Sequence, residues 1–378
     1  MRGESLSGPP PRRPGIRDVA REARVAISTV SKVLSGRGEV SPALRARVLA
    51  SAAELGYQPN YLAQSLRSGA TNLIGLVTAD LGTQFSAALT AGIEGQLRSA
   101  GYALLVMSSA DDPVADAANI RYLHSRRVDA IILAPSREDD PGTLTALAEF
   151  DGPVVAVESE LRGLLPVDGV CADHFAGAAS ATDYLVALGH RRIAALTGPL
   201  GRRSGRERLA GMLSAMSLVG AAEAAIPVPT AHDVEAGELA TLQLLDRPRR
   251  PTALLAGSTL LLEGALRAFA RRSVEVGSEL SLVAWDDGPL PQLFKPPIAV
   301  VDRDVLGLGR AAAGLAMSRL GDTGPRDEGP PRIEVRPTTF IPRASCATPP
   351  ASQGSPVSRS APDVPRPDRQ RRPTSSRT

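Results

Sequence analysis

The sequence predicts an α/β chain with a small all-helical head, and three observations carry that prediction. From Asn72 to about Val301, short aliphatic runs alternate with amphipathic stretches, the texture of parallel strands joined by helices. Residues 16–56 carry three helical segments and no strand-like run. Both ends, residues 1–15 rich in Pro, Gly and Arg and residues 344–378 rich in Ser, Pro and Arg, lack apolar periodicity. They read as a disordered basic arm and a disordered tail.

In the head, Val19, Ala20 and Ala23 stand at helical spacing, the pattern breaks at Arg24-Val25-Ala26, and Ile27, Val30, Val33 and Leu34 resume it. Two short helices therefore meet at a tight turn. The second carries Ser28, Thr29, Ser31 and Lys32 on faces that the apolar spacing leaves outward, which suits a helix pressed on phosphates and base edges. That is a helix-turn-helix pattern. Ser41-Pro42 announces a third helix, with a hydroxyl N-cap and proline at the first position, and Gly56 closes it after Leu55. Leu44, Val48, Ala52 and Leu55 give it one face to cover the other two. A plain structural three-helix module fits the same pattern, but charge argues against it. Ten Arg and one Lys against five acids give residues 1–70 a net +6, and residues 344–378 carry +4, in a chain that is only +3 overall. The basic head and tail thus flank an acidic middle of −7, and cationic charge concentrated on a helix-turn-helix is the footprint of nucleic-acid binding.

The strings Asp18-Val19-Ala20-Arg21-Glu22-Ala23, Ser28-Thr29-Val30-Ser31-Lys32-Val33-Leu34, Val40-Ser41-Pro42 and Leu55-Gly56-Tyr57-Gln58-Pro59-Asn60 resemble the LacI-type (lactose repressor) transcriptional regulators. The likeness runs from Ile16 to Arg343. It implies a helix-turn-helix DNA-binding domain over residues 16–60, a hinge helix over 61–69, and an effector-binding and dimerisation region over 70–343. The implied region consists of two lobes of periplasmic-binding-protein type, joined by crossover strands. By the same resemblance Ile27 and Ser28 choose the bases, Lys32 is a further groove contact, and Thr29 and Ser31 bond phosphates. Tyr57 and Asn60 belong to the DNA-binding motif, and Leu66 matches a hinge leucine that wedges into the minor groove. Ile27 offers only apolar contact, for example to a thymine methyl, so the site read should differ from that of relatives with polar residues there. Arg24 stands where the family usually has a turn glycine. A left-handed backbone there costs arginine about 1 kcal/mol relative to glycine.

Along the body, Leu73–Val77, Ala103–Met107, Ala130–Leu133, Val154–Val157, Ile193–Thr197, Ala253–Ala256, Leu282–Ala284 and Ala299–Val301 read as buried strands. Leu89, Ile93 and Leu97, and then Ala181, Leu185 and Leu188, read as buried helix faces between them. Eight or more such strands need two sheets. Ligands of open α/β sheets sit at the carboxyl ends of strands, which makes the residues after each strand candidates for an interlobe site. These are the stretch from Asp80 to Phe85, Glu158 and Ser159 after the fourth strand, Asp173 after Val170-Cys171-Ala172, Arg208, and Asp286 after Trp285. Arginine and carboxylates facing one pocket can pair with the hydroxyls of a polyol, and family members often bind sugars or nucleobases. Ser258-Thr259 stands where relatives usually have Asn-Asp, so a typical sugar loses two strong partners here.

The remaining composition narrows the function class. Aromatics make up 3% of the chain, so the core must be aliphatic. There is no run of eighteen uncharged apolar residues and no apolar region near the N-terminus before a cleavage site, so a cytoplasmic protein is expected. Cys171 and Cys346 are far apart and outside any CxxC or Cys/His spacing, which indicates neither a disulfide framework nor a metal site. Lys32 and Lys295 are the only lysines. No GxSxG or P-loop occurs, Gly307-Leu308-Gly309 lacks the third glycine of a dinucleotide loop, and His124, His174, His190 and His232 show no paired spacing. No enzyme and no cofactor is expected, and His190 reads as structural. The expectation is a homodimeric repressor of palindromic operator DNA, under allosteric control by a sugar-like effector, with no membrane partner. The alternatives are a regulator that works without effector and a cytoplasmic solute-binding α/β protein.

Overall fold

The structure, a computed structural model, describes residues 14–35, 40–57, 70–161, 165–321 and 329–350. The proposed arm up to Arg13, the hinge helix with Leu66, the contact residue Asn60 and the tail beyond Pro350 lie outside the described residues.

The head consists of α1 (Ile16–Glu22), α2 (Ile27–Ser35) and α3 (Pro42–Glu54). Its core is the aliphatic set that the spacing picks out: Val19, Ala20, Ala23, Val30, Val33, Val48 and Ala52 are buried, with Leu34 and Leu55 packed against them. Leu44 is only half-buried. The Asp18 side chain accepts from the Gly15 amide at 2.9 Å and holds the start of α1. The turn between α1 and α2 is a Schellman closure, in which Val25 N–H donates to the Ala20 carbonyl and Arg24 N–H to that of Arg21. Arg24 sits at φ 49°, in the left-handed conformation that the resemblance leads one to expect at this turn. Helix α3 ends the same way on Gly56, at φ 60°, with Tyr57 N–H donating to the Ala52 carbonyl at 2.9 Å. Ser41 stands at the N-cap of α3 but its hydroxyl makes no cap bond, so proline at the first position carries that start.

The body holds two sheets of six strands each. The first is built from β1 (Leu73–Thr78), β2 (Ala103–Ser108), β3 (Ala130–Leu133), β4 (Val154–Val157), β5 (Asp168–Ala172) and β11 (Ile333–Arg336), in the order β11-β5-β4-β3-β1-β2 and parallel throughout. Helices α4 (Gln84–Ser99), α5 (Pro113–Ser125) and α6 (Pro141–Ala148) follow its first three strands. The second sheet contains β6 (Ile193–Leu196), β7 (Ala225–Val228), β8 (Ala253–Ala256), β9 (Ser281–Trp285), β10 (Ala299–Arg303) and β12 (Thr338–Ile341). Its order is β12-β10-β9-β8-β6-β7, with β12 alone antiparallel. Its helices are α7 (His174–Ala187), α8 (Arg203–Leu218), α9 (Val234–Leu245), α10 (Thr259–Arg272) and α11 (Pro289–Leu293). The chain passes between the lobes after β5, after β10 and between β11 and β12. The second crossing sends α12 (Val305–Leu320) back to the first lobe, where Leu308, Ala312 and Ala316 pack against Leu89 and Ile93 of α4.

The eight aliphatic runs are all strands, and Leu89, Ile93, Leu97, Ala181 and Leu185 are fully buried. The sequence reading misses three strands: β7, which carries Pro227 on a sheet edge where a missing N–H does no harm, and the short β11 and β12. It also ends the folded region too early, at Arg343. Residues 344–350 pack on the second lobe, where the Ser345 hydroxyl donates to the Leu282 carbonyl at 2.6 Å and accepts from the Ala299 amide at 2.8 Å. Cys346, read as a tail thiol, is buried in the core beside them. Among the described residues no helix is long and apolar enough to cross a membrane.

Candidate functional site

On α2 the burial pattern separates backing from face. Val30 and Val33 are buried in the head core, while Ile27, Ser28 and Lys32 are exposed and Thr29 and Ser31 are half-buried beside them. Ile27 leaves 43% of its surface to solvent on the same face as Ser28 and Lys32. Tyr57 is half-buried and packs against the head core. Its place just past the end of α3 makes it the apolar contact that closes the helix.

Between the lobes lies a cavity of about 610 Å³. The first lobe contributes Thr78, Asp80, Phe85, Ser86, Asp111 and Glu158 to its wall; the second lobe contributes Arg202, Arg208, His232, Ser258, Asp286 and, at the end of β10, Arg303. Glu158, Asp286 and Asp111 all sit at positive φ, at 54°, 66° and 63°. Strain of this kind, of order 1–3 kcal/mol per residue, persists only where the surroundings over-determine it.

The charges form a buried network across the lobes. Arg303 forks onto Asp286, Nε to Oδ1 at 2.7 Å and Nη2 to Oδ2 at 3.0 Å, and its Nη1 reaches Glu158 Oε2 at 3.0 Å. Its guanidinium lies 4.7 Å from the centre of the Phe85 ring. Glu158 also accepts from the Ala172 amide at 2.9 Å and meets His174 Nε2. Burial alone would raise the Glu158 carboxyl, but the His174 ring, the Arg303 guanidinium and these hydrogen bonds hold it well below the ordinary carboxylate range. Burial pushes His174 down to about 4, so near neutral pH the ring is uncharged and its Nε2–H donates to the carboxylate.

Arg208 is 4% exposed. It lies 4.9 Å from the centre of the Trp285 ring, and its Nη1 donates to the Thr197 carbonyl at 3.3 Å. Arg202 donates through Nε to the Ser136 carbonyl at 2.9 Å, pairs with Asp111, and lies 3.2 Å from His232 Nδ1. Burial and the neighbouring Arg202 lower His232 to about 3. Cys171 is pushed up to about 12 by burial and stays a thiol.

The structure gathers Phe85, Glu158, Arg208, Ser258 and Asp286 into this one cavity and leaves Asp173 out. Asp173 corrects the strand-end reading: its carboxylate caps α7 by accepting from the Ala176 amide at 2.9 Å. Its backbone belongs to the lobe hinge, with the amide donating to the Arg336 carbonyl at 2.8 Å and the carbonyl accepting from the Thr338 hydroxyl at 3.1 Å. Ser258 lines the cavity while its hydroxyl caps α10 through the Leu261 amide at 3.2 Å. The sequence reading omits Arg202, His232 and Arg303. Arg303 closes β10 and was within reach of the strand-end rule; Arg202 and His232 stand in loops that carry no such signal. His190 is structural, with Nδ1 at 2.8 Å from the Thr252 hydroxyl and Nε2 at 2.8 Å from the Ala347 carbonyl.

Comparison with known proteins follows the same division. Residues 15–60 match the lacI family of bacterial regulatory proteins, and residues 182–346 match a periplasmic binding protein-like domain. The HTH-type transcriptional repressor PurR of Escherichia coli O139:H28 (strain E24377A / ETEC) is 31% identical over 339 residues, spanning 88% of this chain and 96% of PurR. The HTH-type transcriptional regulator DegA of Bacillus subtilis (strain 168) is 31% identical over 297 residues, 78% of this chain and 88% of DegA. Among solved structures, the lac repressor dimer bound to operator and the anti-inducer ONPF matches with a TM-score of 0.77 at 26% identity, covering 89% of this chain and all of that one. A transcriptional regulator CelR–cellobiose complex matches with a TM-score of 0.66 at 28% identity, covering 88% of this chain and all of CelR. Identity and coverage of this order over both the head and the two-lobed body show that the chain belongs to the lacI family of bacterial regulatory proteins and is a helix-turn-helix transcriptional regulator.

Proposed function

We propose that this chain represses transcription as a homodimer on palindromic operator DNA, and that a small effector held between the lobes sets its operator affinity. In this reading Ile27, Ser28 and Lys32 meet base edges, Thr29 and Ser31 meet phosphates, and Asn60 and Leu66 act as the resemblance implies. The outward face of α2, fixed from behind by Val30 and Val33, carries the proposal, because a rigid helix with polar and apolar tips at one surface suits the major groove. The effector acts by linkage: a ligand that prefers one closure of the lobes biases the placement of two heads, and DNA biases effector affinity by the same factor.

A second reading has a specific observation behind it. Ser258 is engaged in capping α10 and Arg303 occupies the Asp286 carboxylate, so two positions suited to sugar hydroxyls are already in use and the chain could regulate without a ligand. Selecting bound sequences from a random DNA pool tests the first proposal: an inverted repeat is expected, and the absence of any enriched sequence overturns it. A ligand that both raises the melting temperature and shifts operator affinity removes the second reading.

A further inference from the structure

We infer that the ligand of the interlobe cavity carries an oxyanion, a carboxylate or a phosphate, that docks on Arg208. The inference rests on the proposal that this cavity is the effector site.

The buried carboxylates are satisfied. Asp286 accepts both arms of the Arg303 fork, and Glu158 takes the third Arg303 nitrogen, His174 and the Ala172 amide. Asp111 pairs with Arg202. Asp286 and Glu158 share the one Arg303, and their excess negative charge acts through space on Arg208. Arg303 and Arg202 are in direct ion pairs. Arg208 is not: its hydrogen bonding among the described residues is the Thr197 carbonyl alone, and its Nε is buried without a partner. His232 adds a second such donor. Its ring is neutral and Nδ1 faces Arg202, a donor, so Nδ1 is the acceptor and the hydrogen stands on Nε2, which is also buried without a partner. Burial brings Arg208 down to about 9, so it is still a cation at neutral pH.

The unmet capacity is therefore donor capacity on a buried cation that has no direct ion pair. A neutral polyol would have to break the Arg303 fork to find a carboxylate acceptor, leaving a buried charge exposed to nothing. An oxyanion meets Arg208 and His232 without disturbing any pair, through charge-assisted bonds that gain most from desolvation. Asp80, Asp233 and Glu235 also line the cavity, but they stand exposed to solvent, where water and salt screen their repulsion of an anion.

Calorimetric titration of the full chain with glucose, glucuronate, a glucose phosphate ester, the matching ribose set and inorganic phosphate tests this. At least one oxyanion should bind about tenfold or more tightly than its neutral parent. Arg208→Gln should lose about that factor for the anion and Arg208→Lys should recover part of it. A neutral sugar binding as tightly as its acid or phosphate overturns the inference and leaves the cavity as the effector site. Absence of binding by every probe, with operator binding intact, overturns both.

Discussion

Replacing Arg303 with Met keeps the stem that packs on Phe85 and removes the cation shared by two buried carboxylates. Glu158 and Asp286 side chains are each about 10% exposed, and Arg303 lies within 3.0 Å of both. Breaking a buried pair by removing one partner costs about 3–5 kcal/mol, because the remaining charge stays desolvated. Two stranded carboxylates place Arg303→Met at the upper end. For a folding unit of this size each kcal/mol shifts the midpoint by about 2–4 °C, so the drop is on the order of 10 °C, read by scanning calorimetry near neutral pH. Adding Glu158→Gln and Asp286→Asn to the variant removes the stranded charges and should restore most of the loss. The single variant's deficit should also shrink on acidification, as the carboxylates protonate. A deficit under about 1 kcal/mol, or a triple variant no more stable than the single one, refutes the claim that this fork holds the lobes' charges together.

The pH profile has a defined sign. His174 and His232 are both lowered from 6.5, to about 4 and about 3, chiefly by burial, so below 6.5 the unfolded chain binds more protons than the folded one. Their contribution to stability is complete above pH 6.5 and is lost as pH falls toward about 4; a midpoint that does not move through that window contradicts it. Lys32→Ala should weaken binding to the selected operator by about 1–3 kcal/mol and to a scrambled duplex by less, as loss of a base-edge contact does; an equal loss on both duplexes with a shallower salt slope moves Lys32 to a phosphate, and an unchanged affinity places it off the DNA. Arg24→Gly relieves the left-handed residue at φ 49° and should stabilise the head by about 0.5–1 kcal/mol, seen as slower hydrogen exchange of α1 and α2 amides. Equal or faster exchange argues that the turn is not strained.

What the sequence discloses follows from how local each signal is. The strands β1, β3, β4 and β8 stand out because both of their faces are buried, which forces continuous aliphatic runs. The helices of the head stand out because one stripe of small aliphatic residues serves a core of few residues. By contrast β11 and β12 find their partners, β5 and β10, far away along the chain, and nothing within four residues of sequence announces such a pairing. Of the candidates named with the strand ends, Asp80, Phe85, Glu158, Arg208 and Asp286 line one cavity while Ser159 and Asp173 do not; the strand-end rule cannot tell a wall from a hinge. Asp173 ends its strand at the point where the chain changes lobe, so its carboxylate serves a helix cap. The pairing state of the cavity is likewise invisible in sequence. Whether Asp286 faces a ligand or an arginine depends on Arg303, which arrives from a different strand.

The most direct test is the affinity of the full chain for its selected operator against a scrambled duplex at one fixed salt concentration. If the outward face of α2 reads base edges, the ratio should reach about a thousand or more, and Ser28→Ala with Ile27→Ala should bring it down while leaving scrambled-duplex binding unchanged. A ratio near one for the unaltered chain, or a ratio insensitive to those two side chains, contradicts the account.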